Sequence, residues 1–182
     1  MVALIIVLLC VALIFLWGVS SYNTLVKLRN KGDEAEAGID AHLKERSDLI
    51  PNLVETVKGY AEHESGTLEA VISARNKASS LSGEGRMKAE GELSGALGRL
   101  FAVAENYPAL KADQNFLSLQ NQLARIEETL ANARKYYNAV VREYNDKIMI
   151  FPSSLIAYLF HFAKRDYIEI EDSDRLRTEV RF

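Results

Sequence analysis

FLSLQNQLARIEETLANARKYYNAVVREY, Phe116–Tyr144, is the stretch that decides the fold class. Phe116, Leu119, Leu123, Ile126, Leu130, Ala133, Tyr137, Val140 and Tyr144 recur at alternating three- and four-residue intervals, which places them on one face of an α-helix. A stripe sustained over about four heptads is the seam of a left-handed helix bundle or coiled coil. No helix can bury such a stripe alone, so the rest of the chain has to supply the facing walls.

Upstream segments carry matching patterns. Leu93, Ala96, Leu97, Leu100, Phe101 and Ala104 predict one helix, which ends by NYPALKAD, where Pro108 marks a connection and Asp113 a new cap. Ile50, Leu53, Val54, Val57, Tyr60, Ala61, Leu68, Val71 and Ile72 predict another from about Leu49 to Ser79, followed by a loop, SSLSGEG, at Ser79–Gly85. Leu25, Leu28, Ala35, Ile39 and Leu43 line a helix across Ser20–Arg46. Between these two lies SDLIP. Pro51 has no amide hydrogen and its ring crowds the carbonyl four residues back, so a helix boundary is expected there, with Asp48 as cap and Pro51 in the first turn.

The N-terminus is set apart by composition. VALIIVLLCVALIFLW, Val2–Trp17, is apolar without interruption, and the first charged side chain is Lys27. At 1.5 Å per residue, Val2 to Tyr22 covers the roughly 30 Å thickness of a bilayer's hydrocarbon core. Trp17 and Tyr22 then fall near a water interface, where amphipathic rings reside, and Lys27 and Arg29 follow just beyond. A cleaved secretory signal would need a basic n-region, which the segment lacks, and a small-residue cleavage site, of which WGVSSY is at best a poor one. A lipoprotein signal is disfavoured because Cys10 follows Leu8 and Leu9, which leaves this lone cysteine as an apolar residue with no disulfide to assign. Lys27, Arg29 and Lys31 follow the span and no basic side chain precedes it, so the positive-inside tendency puts the N-terminus outside and the helical bulk in the cytoplasm.

At the other end, IFPSSLIAYLFHF, Ile150–Phe162, crowds Leu155, Tyr158, Leu159, Phe160 and Phe162 into a segment too short to span a bilayer. Its destinations are the bundle, the membrane interface or another copy of the chain, and these five residues form a candidate interaction surface. DYIEIED alternates Tyr167, Ile168 and Ile170 with acids, a weak strand signal. The domain organisation expected is an anchor at 1–24, a helical bundle at 25–150, and a short apolar helix with a charged tail at 151–182.

Composition narrows the function. The chain has 182 residues with a net charge of −3 and three prolines, the balance of a packed domain. No basic block suggests a nucleic-acid footprint. HESGT, His63–Thr67, lacks the second histidine of a zinc-protease helix, and His42 and His161 lie in separate segments. GELSG, Gly91–Gly95, has the wrong spacing for a nucleophile elbow, and Gly83 and Gly85 have neither the strand nor the Lys-Ser/Thr pair of a phosphate loop. No catalytic, cofactor or metal residues are assigned. Arg46 continues the Ile39–Leu43 stripe and Glu64 the Val57–Leu68 stripe, which makes both candidate buried polar residues. Structural ion pairs or stripe edges are the simple reading of both, and a functional carboxylate is the other.

Taken in order, YNTLVKLRN, IDAHLKERSDLIPNLVETVKGYAEHE, TLEAVISAR, AEGELSGALGRLFAVAENYPALKADQNFLSLQNQLARIEETLANARKYYNAVVREYN and FPSSLIAYLFHF resemble the LemA family of bacterial proteins, from Tyr22 to about Phe162. RNKGDEAEAGID departs from that pattern, with Gly32 and Glu36 where an apolar residue and a tryptophan are expected. The resemblance implies an antiparallel helical bundle behind a membrane anchor, with no established activity, cofactor or catalytic residue to carry over. The fold expected is all-α: an N-terminal transmembrane helix continuing into an antiparallel four-helix bundle, then a short apolar helix. The function expected is a non-enzymatic, single-pass structural or accessory protein of the bacterial inner membrane, with the lipid bilayer, further copies of itself and an unidentified protein as partners. The alternative is a ligand-binding or enzymatic protein with a polar interhelical pocket near Glu64.

Overall fold

The computed structural model describes residues 1–61 and 63–168. The described residues form helices α1 (Val2–Lys58), α2 (Ser65–Ser80), α3 (Gly83–Ala104), α4 (Pro108–Lys111), α5 (Gln114–Met149) and α6 (Ser153–Leu159), with no strand among them. Two compact units result. One comprises residues 41–130, the other residues 1–40 together with the chain from residue 131 onward, and α1 and α5 contribute to both.

In the 41–130 unit, every helix places its apolar stripe in one core. Ile50, Leu53, Val54 and Val57 come from α1, Leu68, Val71 and Ala78 from α2, and Leu93, Ala96, Leu97, Leu100 and Ala104 from α3. Leu110 of α4 and Phe116, Leu119 and Leu123 of α5 complete it, and the Phe101 and Phe116 rings meet edge to face at 6.2 Å between centroids. Fully burying one such side chain contributes roughly 1.5–3 kcal/mol. Asp113 caps α5 as its sequence position predicts, its Oδ1 accepting the Phe116 N–H at 2.9 Å. Two residues of the expected stripe are off the core: Tyr60 lies in the turn after α1 and Ile72 on the solvent side of α2, each about two-fifths exposed. The expected loop at Ser79–Gly85 is shorter than its composition suggests, because only Leu81 and Ser82 separate α2 from α3. Gly83, at φ +59°, supplies the left-handed backbone that so tight a connection needs.

The second unit has Leu25, Leu28, Tyr144 and Ala157 at its centre, with Ile148, Ile156 and Phe162 packed against them. α6 ends in a Schellman motif. His161 takes the left-handed position at φ 55°, the His161 N–H reaches the Tyr158 carbonyl at 3.2 Å, and the Phe162 N–H reaches that of Ala157 at 2.9 Å. His161 is therefore a helix terminator. Beyond it, Asn145 exchanges two hydrogen bonds with the Arg165 backbone, at 2.9 and 3.0 Å, and Asn138 two with that of Ile168, at 2.7 and 2.9 Å. Seven helical residues rise about 10 Å, so the three steps from Arg165 to Ile168 must be nearly fully extended to match. Among the described residues no strand forms here: Tyr167 and Ile168 follow side-chain amides instead of a neighbouring strand, and the rest of the alternating segment, Ile170 included, lies outside the described residues.

Pro51 gives the main correction. α1 does not break at Asp48 but runs unbroken to Lys58, with Pro51 inside it and Asp48 paired to Lys44 on its surface at 3.0 Å. The helix ends seven residues after the proline, where the Tyr60 N–H turns back to the Val57 carbonyl at 3.0 Å beside Gly59, a poor helix former. A proline costs a helix one hydrogen bond, and the carbonyl deprived of its donor is that of Ser47. Arg75 of α2 supplies the replacement, its Nε–H meeting the Ser47 oxygen at 2.8 Å. Arg75→Met should therefore destabilise the chain by about 1 kcal/mol in urea unfolding. In a Pro51→Ala background the amide returns and most of that cost should vanish; equal costs in both backgrounds would break the link.

Candidate functional site

Arg46 is the largest fully buried side chain of the molecule's described part. It enters from α1, in step with Leu43 and Ile50, and its guanidinium draws in both neighbouring helices. Nη2 pairs with Glu90 Oε2 of α3 and lies 3.4 Å from the Glu90 carbonyl. Nη1 pairs with Glu127 Oε1 of α5 and donates to Ser94 Oγ at 2.9 Å. Ser94 in turn donates its hydroxyl hydrogen bond to the Glu90 carbonyl at 3.2 Å, and Arg86 Nε stands 3.7 Å from Glu90 Oε1. Glu90 and Ser94 are one helical turn apart, so both face the same guanidinium. Glu90 is itself buried, whereas Glu127 keeps one edge in solvent. The planar guanidinium thus ties α1 to α3 and α5 through a fixed fork of donors, an arrangement suited to fixing helix registration.

Glu64 does not join Arg46. It is half-buried in the connection before α2, where its Oε1 accepts the Tyr107 hydroxyl at 3.1 Å, a bond that raises the Tyr107 phenol pKa. Nearby, Tyr60 donates its hydroxyl to Asp113 Oδ2 at 3.0 Å. The Phe116 amide, followed by that Tyr60 hydroxyl, holds the Asp113 carboxyl below the usual range, and the same contact pushes the Tyr60 phenol up. No group of three or more metal-ligating side chains occurs among the described residues.

The other candidates gather in the second unit. Leu155, Tyr158, Leu159 and Phe160 are exposed, Tyr158 at 85%, while Phe162 is half-buried. Tyr22 packs its ring on Phe160 at 4.7 Å and Phe162 at 5.7 Å, and Arg29 lies over the Phe162 ring at 5.7 Å. Trp17 remains exposed on α1 and Lys27 does too. Among the described residues one helix, α1, is long and apolar enough to cross a membrane, and none of its apolar window is buried.

Arg165 escaped the sequence reading. Its guanidinium pairs with Asp33 and with Glu36, at 2.7 Å for the latter, and reaches the Arg29 carbonyl at 3.2 Å. Gly32 makes the approach feasible, since a Cβ there would lie 2.9 Å from Arg165 Nη1. The two departures from the family pattern are thus both contacts of one arginine, and that was the available signal. Glu90, Ser94 and Glu127 were missed because they lie 44 to 81 residues from Arg46.

Removing one member of a buried pair strands the other. Arg46→Met should lower the unfolding free energy by about 3–5 kcal/mol in urea, and adding Glu90→Leu should recover much of that. Loss without recovery would place the cost in lost packing instead. Asp113 gives a pH test. Its depressed pKa contributes stability above the unfolded value of about 3.9 that is lost as pH falls through the folded one, so melting temperatures between about pH 6 and pH 2 should fall less steeply in Asp113→Asn than in the parent.

Comparison with known proteins places these features in context. Magnetosome proteins MamQ 1 and MamQ 2 of Paramagnetospirillum magneticum are each 25% identical over 175 residues, covering 81% of this chain and 64% of theirs. Protein LemA of Metamycoplasma hominis is 26% identical over 164 residues, covering 87% of this chain and 75% of its own. The chain thus spans just under two thirds of the length of the magnetosome relatives. The LemA family matches residues 35–182, which includes α5 with its seam and the Arg46 cluster. The chain belongs to the LemA family.

Proposed function

We propose that this chain is a non-enzymatic, single-pass membrane protein that acts as a structural or accessory component, through self-association or by binding a protein partner. The observation that carries this reading is the continuity of α1. The same helix holds the bare apolar run Val2–Trp17 and, two turns further on, the buried Leu25 and Leu28. Exposed apolar surface on that scale is unstable in water and calls for lipid or another chain.

The helical segments pack as an antiparallel four-helix bundle in this reading. The bundle lies on the cytoplasmic side of the bacterial inner membrane and the N-terminus outside, as the basic residues Lys27, Arg29 and Lys31 favour. The names of the relatives, magnetosome protein and Protein LemA, denote no enzyme, and this supports an accessory role. The apolar surface of Leu155, Tyr158, Leu159 and Phe160 is the place for another copy of the chain. Burying it would contribute on the order of 1.5–3 kcal/mol per large side chain.

Alkaline carbonate extraction should leave the chain in the membrane pellet. Mass measurement in nanodiscs should give an oligomer for the parent and a smaller species for Leu159→Asp and Phe160→Asp. Release into the supernatant would reject the anchor, and a monodisperse parent monomer would reject self-association.

A further inference from the structure

The face of α5 turned away from the core carries Glu143, Asp146 and Lys147, spaced as neighbours on adjacent helical turns, and Ile150 follows just past the helix end. They line a cavity of about 470 Å³ whose facing wall is Trp17, Ser20, Ser21 and Thr24 of α1, at the same spacing, with Phe151, Pro152 and Ser153 completing it. Thr24 and Ser153 turn their hydroxyls to the backbone carbonyls of Ser20 and Ile150, both at 2.9 Å. Glu143, Asp146 and Lys147 are exposed and have no ion-pair partner among the described residues, although Lys147 follows Glu143 by one turn.

We propose that this cavity binds the head group of a phospholipid bearing both a primary ammonium and a phosphate, that is, phosphatidylethanolamine. Position is the first argument. The hydroxyl-bearing wall begins immediately after the apolar run, and Trp17 on it is the residue type that marks the bilayer–water boundary. Ser20 to Thr24 rise about 5 to 10 Å beyond Trp17, which is head-group depth. Charge is the second argument. Two carboxylates beside one ammonium complement a ligand that presents an ammonium and a phosphate, whereas a purely anionic head group would meet two like charges. A choline head group has no N–H to donate, so it forfeits the charge-assisted hydrogen bonds that Glu143 and Asp146 offer. A path for the acyl chains is the third. Trp17 shares its helix face with Ile14, Leu13 and Cys10, all exposed, so the cavity opens onto an apolar track along the span.

The inference rests on the reading of Val2–Trp17 as a membrane span. Its test uses the full-length chain in phosphatidylcholine nanodiscs doped with phosphatidylethanolamine or phosphatidylglycerol, followed by detergent exchange and mass spectrometry of the retained lipid. Phosphatidylethanolamine should be enriched over both others by roughly tenfold, the scale of one or two charge-assisted hydrogen bonds. Glu143→Gln with Asp146→Asn should abolish the enrichment and leave the melting temperature unchanged, because both side chains are exposed. Equal retention of the three lipids would overturn the inference, as would enrichment indifferent to the double substitution. Preferential binding of soluble glycerophosphoethanolamine would overturn the lipid as its ligand. A chain that resists carbonate extraction yet retains the lipids equally would reject this site and leave the anchor standing.

Discussion

A guanidinium with no access to water has to be neutralised by charges brought to it, and Arg46 places that demand inside the 41–130 unit. Glu90 and Ser94 reach it from α3 and Glu127 from α5. Apolar burial is non-directional, so contacts such as those of Ile50 would by themselves tolerate a helix sliding by a turn; a planar fork of donors does not. Sliding α3 by one turn would remove Glu90 and Ser94 together and leave a bare charge in the core. The stripe that includes Leu43, Ile50, Leu53 and Val57 supplies the cohesion, and Arg46 within it selects one register.

How much of this was legible follows from how local each signal is. The apolar stripe of α5 reads correctly as one helix face because its three-four alternation is complete within one segment: every member but Ala133 is buried. The Asp113 cap is local too, since its acceptor and the Phe116 amide lie three residues apart. Pro51 misleads for the opposite reason. Its local rule is sound, yet the donor that offsets the loss comes from Arg75, 28 residues from the carbonyl it satisfies. Burial of Arg46 is suggested by the stripe, while its partners are fixed only by tertiary structure. Glu64 is half-buried and accepts the Tyr107 hydroxyl, a partner 43 residues away that its stripe position could not name.

The second unit shows another way of satisfying backbone groups without a helix or a sheet. An asparagine amide presents one donor and one acceptor in the geometry of a peptide group, so Asn138 and Asn145 act as two rungs for the extended chain at Arg165–Ile168. A strand-like alternation in the sequence therefore signals extension correctly but names the wrong partner. Arg165 leaves this segment to reach Asp33 and Glu36, and Gly32 clears the surface of α1 beneath it. A tryptophan at position 36 or a side chain at position 32 would bring bulk where the guanidinium lies, so Gly32, Glu36 and Arg165 form one mutually dependent contact.

The continuity of α1 has a physical basis in its hydrogen bonding. A helix satisfies its own amides and carbonyls, so its backbone is indifferent to whether lipid, water or protein surrounds it. Only the side chains must change with the surroundings, and they do. Residues 2–17 are apolar on all sides and none is buried, whereas from Leu25 onward burial falls on one stripe and, Arg46 apart, charge on the rest. The change occurs over Trp17–Thr24, where aromatic and hydroxyl groups suited to neither pure lipid nor a dry core are concentrated. That composition is what a boundary between solvents requires, and it is also why the unpaired charges of α5 facing it are better placed to meet a head group than a soluble metabolite.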